Sequence, residues 1–243
     1  MRVILFGATG MVGQGVLREC MLDPRVGAVL SLVRTPTAHR QAKLREIVCQ
    51  DLSDLSMIQD ELTGYDAYFF CLGVSSLGMA EAAYRRITYD LTLSAARTLA
   101  NRNPDMTFIY VSGTGTDSSE RGRTMWARVK GETENALLRL PFKAAYMFRP
   151  GFIRPMHGVA AKTKWLRSVY TVIAPLYPVL RALVPQYVTT TECVGRAMIH
   201  VAGRGAPQRV LESRDINAAG ERGEYGGRQA APADTGIGCT IPA

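Results

Sequence analysis

A glycine-rich turn near the start of the chain limits the architecture more than any other feature. Val3-Ile4-Leu5-Phe6 is a short apolar run, Gly7-Ala8-Thr9-Gly10-Met11-Val12-Gly13 follows it directly, and residues 11–22 carry a helical pattern. A GxxGxxG between a strand and a helix needs glycine for a tight turn, for close approach of the backbone to a ligand, and for packing of the helix on the strand. The helix start supplies free N–H groups and a partial positive charge, which suit a pyrophosphate. Gly7, Thr9, Gly10, Met11, Val12 and Gly13 are therefore candidate phosphate-binding residues.

The rest of the chain repeats the same rhythm. Apolar β-type runs at 28–33, 67–72, 107–111 and 144–148 alternate with helical patterns at 80–101 and 126–140. Strands this apolar on both faces need helices above and below, so the pattern predicts an α/β, doubly wound parallel Rossmann sheet. Asp23-Pro24 should end the first helix, because the residue before proline is pushed out of the α region. Residues 1–150 form the expected nucleotide-binding core. Residues 151–217 form a small C-terminal cap, or substrate segment, that completes the same domain, with a helix at 191–202 and a strand near 209–212. The apolar stretch at 168–188 is broken by Pro175, Pro178, Pro185 and Arg181. A transmembrane span needs about 20 largely uncharged residues, so a lid or core segment is expected, with contact at a membrane interface as the alternative. From Ala218 the text is rich in Gly, Ala and Pro, and residues 218–243 are expected to be a disordered tail that can be removed without loss of folding.

Composition narrows the function classes. With 47% hydrophobic and 21% charged residues among 243, the chain is an ordinary globular one. Its five cysteines, Cys20, Cys49, Cys71, Cys193 and Cys239, are odd in number and scattered, which argues against disulfides and a zinc site. The net charge of +8 is spread along the chain, and the longest basic run is Arg85-Arg86, so no nucleic-acid partner is expected. The four apolar residues after Arg2 fall short of the roughly 7–15 of a secretory core, and the expected location is the cytoplasm. His39, His157 and His200 lack partners at metal or triad spacing, and Val111-Ser112-Gly113-Thr114-Gly115 lacks the GxSxG order of a hydrolase.

The strand ends carry the cofactor residues. A NAD-binding unit places an acid at the end of its second strand to hold the ribose 2′-hydroxyl. Arg34 stands there instead, and a guanidinium suits a 2′-phosphate, so NADP is the expected cofactor and NAD the less favoured form. Asp51 either accepts from the adenine amino group, with Leu52 packing on the ring, or caps a turn. Gly73, after the apolar run at 67–72, either lets the backbone pass near the ribose or is a plain turn glycine. Ser112 and Arg149 end the next two strands.

On these residues the chain resembles the short-chain dehydrogenase/reductase superfamily in its atypical, epimerase-like branch, with its nearest likeness to the Tat-interacting-protein-like oxidoreductases. The resemblance runs from Met1 to about Asn217 through Gly7–Gly13, Arg34, Asp51-Leu52, Cys71-Leu72-Gly73, Ser112, Lys130-Gly131-Glu132 and Arg149-Pro150-Gly151. It implies that Pro150 and Gly151 help to bind the cofactor. It also implies catalysis by a serine that orients a carbonyl, a tyrosine that exchanges the proton, and a lysine that binds the nicotinamide ribose and lowers the tyrosine pKa. Ser112 and Lys130 match. The tyrosine position, four residues before the lysine and so on the same helical face, is Trp126, and no YxxxK occurs anywhere in the chain.

The sequence thus leaves two readings. One is an unconventional NADP-dependent oxidoreductase or epimerase-like enzyme with a small-molecule substrate, for which Thr114, Tyr84, Tyr89 and His157 are the substitute proton donors on offer. The other is an NADP-sensing regulatory protein that signals to a protein partner. A positioned acid is worth about 10²–10⁴-fold in rate. Where no other group gives the proton, Trp126→Tyr should therefore speed NADPH-dependent reduction of a simple aldehyde by a factor in that range, and an unchanged rate would mean that the proton comes from another group or that Trp126 lies outside the site.

Overall fold

The computed structural model describes residues 1–37, 41–159 and 187–223. Seven strands form the main sheet: β1 Arg2–Phe6, β2 Ala28–Val33, β3 Leu44–Val48, β4 Ala67–Phe70, β5 Thr107–Val111, β6 Ala144–Arg149 and β9 Val210–Glu212. Their order is β3-β2-β1-β4-β5-β6-β9, and every pairing is parallel. The order reverses between β1 and β4, so the crevice beyond their carboxyl ends is where a ligand binds in a sheet of this type. Strands β7 Phe152–Arg154 and β8 Val188–Thr190 make a separate parallel pair.

Alternation along the strands builds a core on each face. Val3, Leu5, Phe69 and Phe148 point to one side, against helices α1 Met11–Leu22, α5 Thr191–Arg204 and α6 Ser213–Arg222. Ile4, Phe6, Tyr68, Phe70 and Phe108 point to the other, against α3 Leu91–Arg102 and α4 Met125–Leu138. Helices α1 and α5 touch through glycine. A Cβ on Gly15 would lie 2.5 Å from that of Thr191, and one on Gly195 would lie 2.8 Å from Glu19 Cγ. The side chain of Thr190 caps α5 by accepting from Cys193 N at 3.0 Å.

The predicted fold class is the observed one, and most differences are at element ends. The helix expected at 80–101 is three pieces in series, α2 Glu81–Arg85, a π-turn Arg86–Asp90 and α3. Strand β4 stops at Phe70 rather than at 72, although Cys71 N still donates to Phe6 O at 3.0 Å. Much of the apolar stretch at 168–188 lies outside the described residues. No helix among the described residues is long and apolar enough to cross a membrane.

The expected tail boundary is corrected. Helix α6 runs through 218–222, where disorder was expected from 218 onward. Composition misled because the small residues are what let α6 approach α5: a Cβ on Gly220 would stand 2.4 Å from Cys193 Sγ. Ala219 is buried, Asn217 Nδ2 donates to Val188 O at 2.8 Å, and Arg25 Nη2 donates to Gly223 O at 3.1 Å. Residues 224–243 lie outside the described residues.

A chain ending at Asn217 should therefore melt lower than one ending at Gly223. In a protein of this size each kcal/mol is worth about 2–4 °C, and loss of the last turn of α6 should cost at least one such step. Equal midpoints in a thermal melt of the two truncated chains would show that the turn contributes nothing.

Candidate functional site

The turn after β1 is shaped by contacts that leave no room for side chains. Gly7 has φ +81°, and a Cβ there would lie 2.7 Å from the backbone of Cys71 and of Leu72. A Cβ on Gly13 would lie 2.0 Å from Gly7 O. Gly10 N donates to Gly7 O at 2.9 Å, and Gln14 Nε2 donates to Thr9 O at 3.0 Å, which closes the turn. Gly10 caps α1 without a side chain, and the first turn of α1 holds no acid. Its leading amides are thus free of any internal carboxylate and keep their attraction for an anion. Thr9, Met11 and Val12 are partly exposed around this turn.

The neighbouring strand ends hold the other predicted residues in unequal condition. Arg34 is exposed just past β2, and its carbonyl accepts from Gln50 Nε2 at 3.2 Å. Asp51 is exposed and already caps a turn: its Oδ1 accepts from Ser53 N at 2.8 Å and from the Ser53 hydroxyl, which lowers the carboxyl pKa. Leu52 is buried among Leu55, Leu62 and Tyr65 and so belongs to the core, away from the exposed face where an adenine ring was expected. Cys71 and Leu72 are partly exposed where they cross Gly7, and Gly73 is exposed beyond them. Burial raises the pKa of the Cys71 thiol.

Three residues of α4 at four-residue spacing, Trp126, Lys130 and Glu134, face the loop after β5. The indole of Trp126 lies against Gly115, where a Cβ would meet its edge at 3.4 Å. Lys130 Nζ donates to Ser112 O and stands 3.9 Å from where a Gly113 Cβ would be. Lys130 keeps some surface in solvent, but protein crowds its ammonium, and burial pushes the pKa down to about 8 against the opposing pull of Glu134.

The serine predicted to orient a substrate has its proton engaged inward. Ser112 is 7% exposed, and its hydroxyl donates to Glu134 Oε1 and lies 3.1 Å from Phe148 O. Glu134 is 1% exposed and pairs with Arg149, whose Nε lies 3.1 Å from both of its carboxylate oxygens. Arg149 also reaches Glu212 at 3.7 Å. The Thr114 hydroxyl lies 2.9 Å from Arg149 O and 3.2 Å from Glu212 Oε2. Pro150 is buried. Gly151 N donates to Ser213 Oγ at 2.8 Å, and a Cβ there would lie 2.4 Å from Tyr187 O.

Glu134 is the residue that sequence reasoning missed. The available signal was a carboxylate on the core-facing side of α4, beside Ala136 and Leu137, since a charge on such a face needs a partner. The remaining substitute donors lie elsewhere. Tyr84 is 1% exposed, Tyr89 lies under the Arg85 guanidinium at 4.3 Å, and His157 Nε2 is 3.4 Å from Glu192 Oε2 beside α1 and α5.

Comparison with known proteins gives the family. The chain is 30% identical over 175 residues to the mitochondrial protein fmp52 of Emericella nidulans, spanning 65% of this chain and 72% of that protein. The corresponding figures for mitochondrial fmp52-1 of Aspergillus terreus are 31% over 174 residues, 65% and 72%. The chain belongs to the FMP52 family. No protein-family model matches it.

The expected cytoplasmic location is corrected by these relatives, whose names are mitochondrial and point to that compartment. A short apolar run argues only against a secretory core, and organelle addresses are amphipathic and take another form.

Solved structures agree on the fold at low identity. The Candida albicans Gre2–NADPH complex aligns with a TM-score of 0.66 at 14% identity, over 88% of this chain and 78% of that one. A Burkholderia thailandensis oxidoreductase of the short-chain dehydrogenase/reductase family aligns at 0.63 and 14%, over 88% and 92%. The Bordetella bronchiseptica enzyme WbmF with NAD⁺ aligns at 0.60 and 15%, over 91% and 77%.

Removing one partner of a buried ion pair strands the other. Glu134→Ala should cost roughly 3–5 kcal/mol in urea unfolding, whereas the apolar pair Glu134→Leu with Arg149→Met should regain more than half of that. A single variant as stable as wild type would show that the pair is not desolvated.

Proposed function

We propose that this chain binds a nicotinamide dinucleotide, prefers NADP, and is an unconventional oxidoreductase or epimerase-like enzyme of the atypical short-chain dehydrogenase type, close to the Tat-interacting-protein-like branch. The observation that carries this reading is the turn Gly7–Gly13 at the reversal of strand order, packed too closely for any Cβ at Gly7 or Gly13 and opening onto the uncapped start of α1. That cradle fits a pyrophosphate. Known structures of the same fold, at 14–15% identity, include complexes with NADPH and NAD⁺.

Gly7, Thr9, Gly10, Met11, Val12 and Gly13 would hold the phosphates, and Arg34 the 2′-phosphate. Asp51 would meet the adenine through the carboxylate oxygen that Ser53 leaves free, while Leu52 supports this end from within the core. Cys71, Leu72 and Gly73 would line the ribose, with Lys130, Pro150 and Gly151 at the nicotinamide half. When bound in reduced form, such a group supplies a hydride. For the chain's own part, Trp126 lies along the β5–α4 loop against Gly115, Lys130 ties α4 to the end of β5, and Glu134 with Arg149 holds β5, β6 and α4 in register.

A second reading, an NADP-sensing protein without turnover, draws support from the indole at the tyrosine position and from the inward engagement of the Ser112 hydroxyl. Oxidation of NADPH by a panel of carbonyls and quinones, set beside affinity for both redox states of the nucleotide, separates the two.

Cofactor preference is testable on its own. A charge-assisted contact from Arg34 to a 2′-phosphate is worth about 1.5–3 kcal/mol, or one to two decades in affinity. Calorimetry should find that Arg34→Asp lowers the ratio of NADP to NAD affinity by that much. An unchanged ratio would remove Arg34 from the site.

A further inference from the structure

The β5–α4 face carries the indole of Trp126 where the family resemblance implies a tyrosine hydroxyl, and the structure limits what can take that role. Ser112 is turned inward onto Glu134 and Phe148 O. The single Thr114 proton lies between Arg149 O and Glu212 Oε2. Glu134 is enclosed and spent on Arg149 and Ser112. Tyr84 is buried, Tyr89 is covered by Arg85, and His157 stands with Glu192 on the α1 flank. Lys130 differs from all of these. Its ammonium has one acceptor from the described residues, the Ser112 carbonyl, and donates three hydrogens. It also lies beside Gly113, where the chain has no side chain to screen it.

We infer that Lys130 is itself the acid and base of the site, doing the work of the hydroxyl that Trp126 lacks. The inference rests on the dinucleotide reading above. In the reducing direction the Lys130 ammonium gives a proton to the carbonyl oxygen while the carbonyl carbon takes a hydride from a reduced nicotinamide dinucleotide. A C–H and an O–H bond form, the C=O π bond breaks, the carbonyl is reduced and the nicotinamide oxidised. Lysine is left as a neutral amine that water reprotonates.

The environment supports this role. Burial holds the Lys130 pKa at about 8, within the range where an acid–base group works near neutral pH. Of the charged groups packed around it, Glu134 on its own helix opposes that shift. Arg149 from β6 is drawn to both Glu134 and Glu212 of β9. The Asp117 carboxylate in the β5–α4 loop is turned to Ser119 and to Gly122 N.

The chain has only five lysines, Lys43, Lys130, Lys143, Lys162 and Lys164. Reductive methylation with ¹³C-formaldehyde therefore gives few NMR signals to titrate, and the one absent in Lys130→Arg belongs to Lys130. In the free protein that signal should titrate near 8, against about 10.4 for a lysine in water.

Kinetics supply the second arm. An acid must be protonated to act, so aldehyde reduction by wild type should fall as pH rises through this value. Lys130→Arg keeps the charge and a donor to Ser112 O but holds its proton throughout. It should bind NADP within a few-fold of wild type, reduce an aldehyde about 10²–10⁴-fold more slowly, and still reduce a quinone, whose product is protonated by solvent. Lys143→Arg on the exposed surface is the control and should change nothing.

The inference is overturned if Lys130 titrates with the other lysines, if Lys130→Arg reduces the aldehyde as wild type does, if aldehyde and quinone rates fall together with affinity, or if wild type binds NADP yet reduces no carbonyl. Wild type that folds but binds no dinucleotide would instead sink the reading on which the inference rests.

Discussion

At Gly7 three stretches of backbone meet within van der Waals distance, and the geometry of the sheet's ligand-binding end depends on that meeting. The end of β1 turns there, the start of α1 lies over it at Gly13, and Cys71-Leu72 crosses it on leaving β4. A side chain at either glycine would separate α1 from β1 or β1 from β4, and parallel strands have no short hairpin to bring them back together. The order reversal of the sheet is therefore held in place by the absence of two methyl groups. The same absence leaves amide edges open toward the crevice.

On the other side of the crevice a buried carboxylate has the organising part. Glu134 draws β5 through Ser112, β6 through Arg149 and, through Arg149, the neighbourhood of β9 and Glu212. An apolar cluster could have held these elements with less desolvation. The ion pair instead fixes directions, because Arg149 must present its planar fork to Glu134 and cannot slide along it. Lys130, one turn earlier on α4, is placed by the same arrangement. The strictness of the pair is thus passed to Lys130, which faces the loop after β5.

Much of this was legible in the sequence because it depends on local pattern. Residues 28–33 and 107–111 are strands with the expected ends, and α1 begins and stops where the glycine turn and Asp23-Pro24 require. What escaped depends on partners far away along the chain. Nothing near Glu134 indicates that Arg149 will arrive to neutralise it. Leu52 is apolar whether it covers an adenine ring or fills the core, and the choice is made by Leu62 and Tyr65. The Gly and Ala of α6 have the composition of a flexible tail, yet against Cys193 they act as the surface of closest approach. The small residues that suggested disorder are the ones the packing needs.

The small sheet of β7 and β8 ties its own position to distant parts of the chain. Its two strands run in the same direction, with Met156 N held by the Thr191 hydroxyl at 3.1 Å, Gly151 N held by Ser213 Oγ at 2.8 Å, and Gly151 pressed on Tyr187. Parallel strands cannot be joined by a tight hairpin, so the register of Phe152–Arg154 against Val188–Thr190 is set by these anchors on α5, on α6 and at Gly151. A change at Thr191 or at Gly151 would therefore be transmitted to both strands at once, as a shift in a hinge moves both leaves of a door.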